Sequence, residues 1–298
     1  MNIRKLSNSQ IDKNAWDLCV RDSENGRVYA LSWYLDCLTN GKWDGLVLDN
    51  YRAVMPLPYV KKAGIRLYIQ PWFCQQLGPF WIHSYPKGLL SAMKKKIASP
   101  FYHLNLNSQT RFFPENHKLE LRPNMVLPLD KSWKSLVLDF RNNHRRNIKK
   151  AKKAGLEIRP VRTEQYLELK KSSGTRMSGK QWEKLGNLLA ELDKKNLLIP
   201  AGAWLDGELV SAVCWIKDFR HLVYFQAAGN EAGKKHAAAF LLVSDMMEQY
   251  AGKDYVIDFE GSVNQGIRRF YRGFGATNEA YPVLISSGMR ILEKINRP

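Results

Sequence analysis

Apolar positions in the first 130 residues fall into short runs that predict a mixed unit of helices and strands. Helical spacing favours helices over residues 11–20 and 31–39, with Ser32 placed to cap the second. Short apolar or alternating runs predict an antiparallel meander of strands at 43–48, 52–59 and 66–69. A helix over 86–97 and strands at 101–106, 118–121 and 124–128 follow. Because proline cannot donate to a strand ladder, Pro56 and Pro58 place the middle strand of the meander at an edge or a bulge.

The pattern changes after Ser132, where apolar residues recur every three or four positions and predict one long helix that stops at Gly155. His144 falls on the apolar stripe and is expected to be packed. The other faces are basic, with seven Lys or Arg between residues 141 and 153 and no acid: Arg141, Arg145, Arg146, Lys149, Lys150, Lys152 and Lys153. Such a run fits either a solvated face or a polyanion-binding helix.

The remaining residues predict a second α+β unit. Helices are expected at 163–171 and 178–195, followed by antiparallel strands at 200–205, 208–217 and 221–227, with Asp206-Gly207 as a hairpin turn. A helix over 237–250, a strand over 255–259, a helix over 265–273 and a strand over 281–285 complete the order. We therefore predict an α/β (α+β) protein with domains at 1–130 and 156–298, joined by a basic helix over 131–155.

Composition narrows the kind of protein. The 298 residues carry 46 Lys and Arg against 28 Asp and Glu, so the net charge of +18 favours anionic partners such as RNA or nucleotide carriers. No run approaches the roughly 20 apolar residues of a membrane span, and we expect no export signal. The four cysteines are far apart and flanked by apolar residues, which predicts a cytoplasmic protein with buried thiols and no metal site.

Two segments carry a resemblance to a known family. Residues 258–262 read Asp-Phe-Glu-Gly-Ser and residues 270–276 read Phe-Tyr-Arg-Gly-Phe-Gly-Ala, in the element order given above. Together with the helix Arg-Arg-Asn-Ile-Lys-Lys-Ala-Lys-Lys-Ala-Gly-Leu at 145–156, they resemble the double-GNAT proteins related to the Fem-type peptidoglycan aminoacyltransferases. The resemblance is best over residues 140–290.

The resemblance implies two tandem GNAT-like domains and a transferase reaction. Members of the family move an amino acid from aminoacyl-tRNA, or an acyl group from a thioester such as acyl-CoA, to an amine. The acceptor expected here is a small-molecule, glycan or peptide amine, with a cell-wall link as one option and tRNA as a candidate partner. The alternative is a non-catalytic GNAT-fold protein that uses its basic helix to bind RNA or another polyanion. Oligomeric state is not predicted.

The expected donor site lies between the third antiparallel strand and the helix after it. Gly229, Gly233, Lys234, Lys235 and His236 stand where free N–H groups and two ammonium groups can receive phosphates. The usual GNAT loop has Gln or Arg, two residues, Gly, one residue, then Gly or Ala. This chain departs from that pattern with Glu231, Gly233 and Lys235, so an ordinary basic loop is the alternative.

The expected catalytic residues are Asp258, Glu260 and Tyr271. Asp258 and Glu260 are two apart on a predicted strand and so share a face, where neighbouring carboxylates can relay an amine proton. The alternative is that Asp258 caps a turn and Glu260 is an exposed strand-end residue. Tyr271 stands where many Fem-type relatives have lysine, and it can donate a hydrogen bond but no charge. Candidate substrate contacts are Trp33, Tyr224, Gln226, Arg145, Arg146 and Arg269, with Tyr224 and Gln226 expected on one strand face.

Overall fold

The computed structural model describes residues 1–113, 116, 118–261 and 264–295. Within these residues the chain forms two compact units, one of residues 1–122 and 280–298 and the other of residues 123–279. Both units are mixed α/β, as predicted. Their bounds differ from the expected ones, since the basic helix belongs to the second unit and the last strand and helix belong to the first.

The first unit is built on one eight-stranded sheet. Its strands are β1 (Ile3–Ser7), β2 (Trp43–Leu48), β3 (Ala53–Lys62), β4 (Ile65–Ile69), β5 (Phe80–Trp81), β6 (Tyr102–Asn105), β7 (Glu120–Arg122) and β15 (Tyr281–Ile285). The order is β1-β2-β3-β4-β6-β15-β7, and β5 pairs with β3. The α-helices among the described residues of this unit are α1 (Lys13–Asp22), α2 (Ser32–Thr39), α3 (Leu89–Lys94) and α11 (Ser287–Ile295). The pattern did not predict β1 or α11.

Two local expectations for the first unit are wrong. Strand β3 is not at an edge, because β2 pairs along one side of it while β5 and β4 pair with its two ends on the other. Pro56 and Pro58 lie between those two ends, so their missing N–H groups interrupt neither ladder. Ser32 does not cap α2. Its N–H and hydroxyl both donate to the Asp17 carboxylate, and Leu31 takes the N-cap position.

The second unit has a seven-stranded sheet in the order β14-β8-β13-β12-β11-β10-β9. The strands are β8 (Met125–Pro128), β9 (Glu157–Pro160), β10 (Leu198–Leu205), β11 (Glu208–Lys217), β12 (His221–Gly229), β13 (Val256–Asp258) and β14 (Thr277–Asn278). The helices are α4 (Trp133–Leu138), α5 (Asn142–Lys153), α6 (Thr163–Ser172), α7 (Gly179–Lys194), α8 (Glu231–Lys235), α9 (Ala238–Tyr250) and α10 (Gln265–Arg272). Asp206 and Gly207, both with positive φ, make the predicted turn between β10 and β11.

The predicted single helix after Ser132 is two helices. Helix α4 ends at Leu138, and Arg141 is extended, with φ of −63° and ψ of 149°, as the N-cap of α5. The Arg141 N–H donates to the carbonyl oxygen of Gly273 at 2.9 Å instead of continuing a helical ladder. This tertiary hydrogen bond is the physical reason for the break. Gly155, at φ of 79°, follows the end of α5 as expected.

A large apolar core lies between one face of the second sheet and helices α5, α9 and α10. Trp215, Leu222 and Phe259 of the sheet region are packed there with Met246 and Phe274. Cys19, Cys74 and Cys214 are buried as expected, whereas Cys37 is only half-buried. Within the described residues, none of the helices combines the length and the apolar character that a membrane span requires.

Candidate functional site

The central feature of the second unit is a divergence between two parallel strands. Residues 221–223 of β12 pair with residues 256–258 of β13, and β13 then ends. Strand β12 continues to Gly229, so its last part extends past the final paired residue. Where parallel strands separate in this way, the space between them is a common place for a ligand in α/β proteins.

A cavity of about 460 Å³ occupies this part of the unit. Its walls come from the end of β12, from α8, from the first turn of α9 and from α10. Most of the lining residues are small or apolar: Ser211, Tyr224, Ala227, Ala228, Gly229, Gly233, Lys234, Ala237, Ala239, Phe240 and Phe270. The cavity therefore suits an uncharged chain with one polar end.

Two of the predicted glycines allow close packing at the cavity wall. A Cβ at Gly233 would lie 2.3 Å from the backbone oxygen of Val210, so only glycine lets α8 pack this closely on β11. A Cβ at Gly229 would lie 3.1 Å from the Ser211 hydroxyl. The two glycines thus hold the loop and α8 against the sheet, while Ala237 and Ala239 bring the positive end of the 13-residue helix α9 to the cavity.

The loop offers fewer phosphate ligands than expected. The Gly233 N–H donates to the Asn230 side chain at 2.9 Å, and the His236 N–H donates to the Ala232 carbonyl. The Lys234 ammonium pairs with Glu231 at 2.7 Å. The segment forms the short helix α8 with Asn230 as its N-cap, which explains why these groups are satisfied internally. Lys234 lines the cavity, but Lys235 and His236 do not appear among the described lining residues.

Tyr224 and Gln226 were expected on one face of β12, and that expectation is wrong. The register of β12 on β11 slips at this point, so that Tyr224 lies opposite Trp215 whereas Gln226 lies opposite Cys214. Phe225 is the extra residue of this bulge, and a slip of one residue reverses the face of every side chain beyond it. Tyr224 lines the cavity, and Gln226 faces the side of Cys214.

Aromatic rings connect Tyr224 with the predicted catalytic residue Tyr271. The ring centroids of Tyr224 and Tyr271 are 5.9 Å apart, and Tyr271 stacks on Phe259 at 4.5 Å. Burial raises the pKa of both tyrosines above the ordinary value. Both hydroxyls are therefore protonated at neutral pH and can donate hydrogen bonds. Tyr271 does not line the cavity itself but packs behind Tyr224.

The predicted carboxylate pair does not share a strand face. Strand β13 ends at Asp258, and Glu260 adopts φ of 58° in the turn that follows. The buried Asp258 carboxylate accepts the Glu260 N–H at 2.8 Å, which is the turn-capping role considered as its alternative. Glu260 is half-buried, and its negative charge contributes to the raised pKa of Tyr271, after burial and the interaction with Tyr224. Glu260 thus lies near the tyrosine pair.

His144 supports the aromatic wall from behind, and it is packed as predicted. Its Nε2 is 2.8 Å from the carbonyl oxygen of Phe270, and its ring centroid lies 4.9 Å from that of Phe240. The absent side chain of Gly273 makes room for it, because a Cβ there would lie 1.8 Å from the imidazole. Burial, opposed by the Phe270 hydrogen bond, lowers the pKa of His144.

A buried lysine, which the sequence pattern did not single out, supports β12 on its other face. The Lys170 ammonium of α6 donates to the carbonyl oxygen of Ala227 at 3.1 Å, and burial lowers its pKa. The signal was present in the sequence: Lys170 is four residues after Tyr166 and follows Leu169, so it shares the apolar stripe of its helix. Seven lining residues were also missed, namely Ser211, Ala227, Ala228, Ala237, Ala239, Phe240 and Phe270.

The remaining candidates lie elsewhere. Arg269 lines a separate polar cavity with three other arginines. Arg145 borders an apolar groove of about 360 Å³ with Trp133 and Ile148, and Arg146 is exposed on α5. Trp33 is on α2 of the first unit, where its ring packs against Tyr34 with a centroid distance of 5.5 Å. Among the described residues, no group of three His, Cys, Asp or Glu side chains is arranged to hold a metal ion.

Comparison with known proteins agrees with this architecture. Residues 139–272 match the model of the acetyltransferase (GNAT) domain. A crystal structure of FemX aligns with a TM-score of 0.69 and 14% identity, covering 99% of this chain and 100% of FemX. A comparison with curated protein sequences gives no significant match.

Two further solved structures have a similar fold. The C-terminal domain of a putative lysylphosphatidylglycerol synthetase from Agrobacterium fabrum has a TM-score of 0.58 and 10% identity, covering 97% of this chain and 96% of that one. A tandem GNAT protein from the clavulanic acid biosynthesis pathway has a TM-score of 0.51 and 10% identity, covering 95% and 97%. The chain therefore has the tandem GNAT fold of FemX, and its second unit carries the match to the GNAT acetyltransferase domain.

Proposed function

We propose that the protein is an N-acyltransferase that binds an acyl thioester in the cavity beside β12 and transfers the acyl group to an amine. The observation that carries the proposal is the cavity itself, which lies along the part of β12 that continues past its pairing with β13. Its small and apolar walls fit the uncharged arm of a thioester such as acyl-CoA, and the first turn of α9 provides a positive end. The match of residues 139–272 to the GNAT domain supports the same chemistry.

The transfer requires an attacking amine, a stabilised oxyanion and a protonated leaving thiol. The amine nitrogen bonds to the thioester carbonyl carbon, the carbon–sulfur bond breaks, and the amine proton ends on the thiol. Tyr224 lines the cavity with a protonated hydroxyl, so we assign it as the hydrogen-bond donor to the developing oxyanion. Glu260, close enough to Tyr271 to influence its pKa, is the proposed acceptor of the amine proton.

Filling the cavity tests the donor site. Ala239→Leu places a larger side chain in the cavity wall, and Ala190→Leu, on the exposed side of α7, is the matched control. Acyl-CoA at about 100 times its Kd should stabilise the unmodified protein and the control by about 2.7 kcal/mol in a thermal-shift assay. Ala239→Leu should lose most of this effect. If acyl-CoA stabilised both variants equally, the donor would bind outside this cavity.

Activity is measured by release of free thiol from acyl-CoA in the presence of a panel of amines. Tyr224→Phe should lower kcat by about 10²-fold, and Glu260→Gln should lower turnover at least about tenfold. If no thioester releases thiol but aminoacyl-tRNA is consumed, the donor is an aminoacyl ester and not a thioester. Absence of both reactions would refute the transferase.

The exposed basic residues of α5 favour a second candidate, a non-catalytic protein that binds RNA. Within the described residues, none of its six Lys and Arg forms an ion pair with a carboxylate: Arg145, Arg146, Lys149, Lys150, Lys152 and Lys153. Salt-sensitive binding of RNA with no transfer to any amine would support this candidate over the enzyme.

A further inference from the structure

Four arginine side chains line a polar cavity of about 310 Å³ in the second unit, away from the cavity beside β12. Arg268, Arg269 and Arg272 come from α10, and Arg141 comes from the N-cap position of α5. Gln265 is the other described residue of the lining. All five are polar, so this cavity does not suit an apolar group.

The four arginines concentrate positive charge in this cavity. Among the described residues, no carboxylate forms an ion pair with any of these four guanidinium groups. Arg268 and Arg272 are four residues apart on one helix, where like charges destabilise the helix by a few tenths of a kcal/mol. The negative end of α10 favours Arg269 and Arg272, but it does not account for Arg141 on a different helix. An external anion would offset the repulsion.

Backbone hydrogen bonds connect the two helices that carry the arginines. The Arg141 N–H donates to the Gly273 carbonyl at 2.9 Å, and the Gly273 N–H donates to the Arg269 carbonyl at 3.1 Å. The start of α5 and the end of α10 are therefore joined, and His144 packs into the space left by Gly273. Because these contacts do not depend on a ligand, the guanidinium groups are brought to one place in advance.

We infer that this arginine pocket binds a phosphate group. The planar guanidinium fork pairs two N–H donors with two phosphate oxygens, and four positive charges suit a dianionic phosphate or a diphosphate better than a single carboxylate. The beginning of the 12-residue helix α5, whose N-cap residue provides no side-chain cap, adds partial positive charge at the same place. The inference concerns binding alone and holds whether or not the transfer reaction takes place.

Calorimetry with inorganic phosphate and pyrophosphate, at constant ionic strength set with chloride, tests the pocket directly. The double variant Arg268→Ala/Arg272→Ala removes half of the pocket charge. Its matched control is Lys150→Ala/Lys153→Ala, which removes two exposed charges of α5 outside the pocket lining. We expect at least a tenfold increase in the pyrophosphate Kd for the pocket variant and less than a twofold change for the control.

An equal reduction of binding in the two double variants would show that net charge alone is responsible and would overturn the inference. So would the absence of pyrophosphate binding to the unmodified protein. Arg269→Ala, in which one charge of the same pocket is removed, guards against a folding defect of the double variant. This variant should weaken pyrophosphate binding while its melting temperature equals that of the control.

Two further titrations identify the molecule that carries the phosphate. If it is a nucleotide carrier, removing the 3′-phosphate by using dephospho-CoA should weaken binding at least tenfold in the unmodified protein. The pocket variant should bind CoA and dephospho-CoA alike. If it is RNA, the slope of log K against log salt for a short single strand should fall by about 0.7 for each phosphate that the pocket variant no longer neutralises. A pocket variant that binds CoA and RNA as the unmodified protein does would overturn the assignment.

Discussion

The contact between Gly273 and His144 gives a sharp test of how the cavity wall is held. In a Gly273→Ala variant, the new Cβ would lie 1.8 Å from the imidazole, whereas real Cβ contacts are almost never under 3.0 Å. The ring must therefore retreat by at least 3.0 − 1.8 = 1.2 Å. A movement of that size breaks the hydrogen bond between Nε2 and the Phe270 carbonyl, which is 2.8 Å long.

The expected decrease in stability follows from these two effects. The hydrogen bond contributes about 1 kcal/mol net. Forcing an extra carbon into a packed site costs about 1–3 kcal/mol more. We therefore expect Gly273→Ala to lower the free energy of unfolding by about 2–4 kcal/mol. The Phe270 and Phe240 rings that pack on the imidazole also line the cavity, so thioester binding should weaken as well.

Urea unfolding of the full chain measures the decrease, and a double-mutant cycle assigns its cause. His144→Ala removes the ring, so adding Gly273→Ala to that background should cost less than about 1 kcal/mol. Gly179→Ala is the matched control, because a Cβ at Gly179 in helix α7 meets nothing within 4 Å. Two results would refute this explanation of how the cavity wall is held. One is a Gly273→Ala protein as stable as the control, and the other is an equal loss of stability from Gly273→Ala with and without the His144 ring.

Three shorter predictions concern single residues. Because burial lowers the folded-state pKa of His144, the unfolded chain binds a proton more readily below about pH 6.5, so stability should fall as pH drops through this range. Urea unfolding between about pH 5 and 7 should show this slope, and His144→Asn should lack that component. Lys170 also has a lowered pKa, so the unmodified protein should gain stability as pH rises toward about 10.4, and Lys170→Met should not. Glu260→Gly should raise stability by about 1 kcal/mol because the residue has positive φ, and a decrease in the melting temperature would contradict this.

The sequence predicted most elements because their determinants are local. Strands Trp43–Leu48, Glu208–Lys217 and Tyr281–Ile285 have the predicted bounds, since each apolar run is closed by turn residues. The break between α4 and α5 could not be predicted in the same way. It depends on a hydrogen bond from Arg141 to Gly273, which is distant in sequence. The helical spacing of apolar residues continues across residues 133–151, so this pattern alone predicts no break between α4 and α5.

The segment between β12 and α9, where the donor is proposed to bind, differs in detail from what the sequence predicted. The position between β12 and α9 follows from element order, which the sequence contains. Whether the N–H groups there are free depends on Asn230, whose side chain caps α8 and accepts the Gly233 N–H. Asn and Asp commonly cap short helices, so Asn230 followed three residues later by a glycine could have indicated this turn. The hydrogen bond itself depends on the folded geometry of the loop, which brings the Asn230 side chain to the Gly233 N–H.

The bulge at Phe225 shows why a small backbone irregularity has a large chemical effect. With regular alternation, Tyr224 and Gln226 would both enter the cavity, and the site would contain an amide able to bind a polar substrate group. The slip in register instead turns Gln226 to the face of Cys214 and brings Ala227 to the cavity. The Ala227 carbonyl is fixed by Lys170 from the other side of the strand. The cavity wall beyond Tyr224 is consequently small and apolar, which is the property that favours a thioester arm there over a polar acceptor.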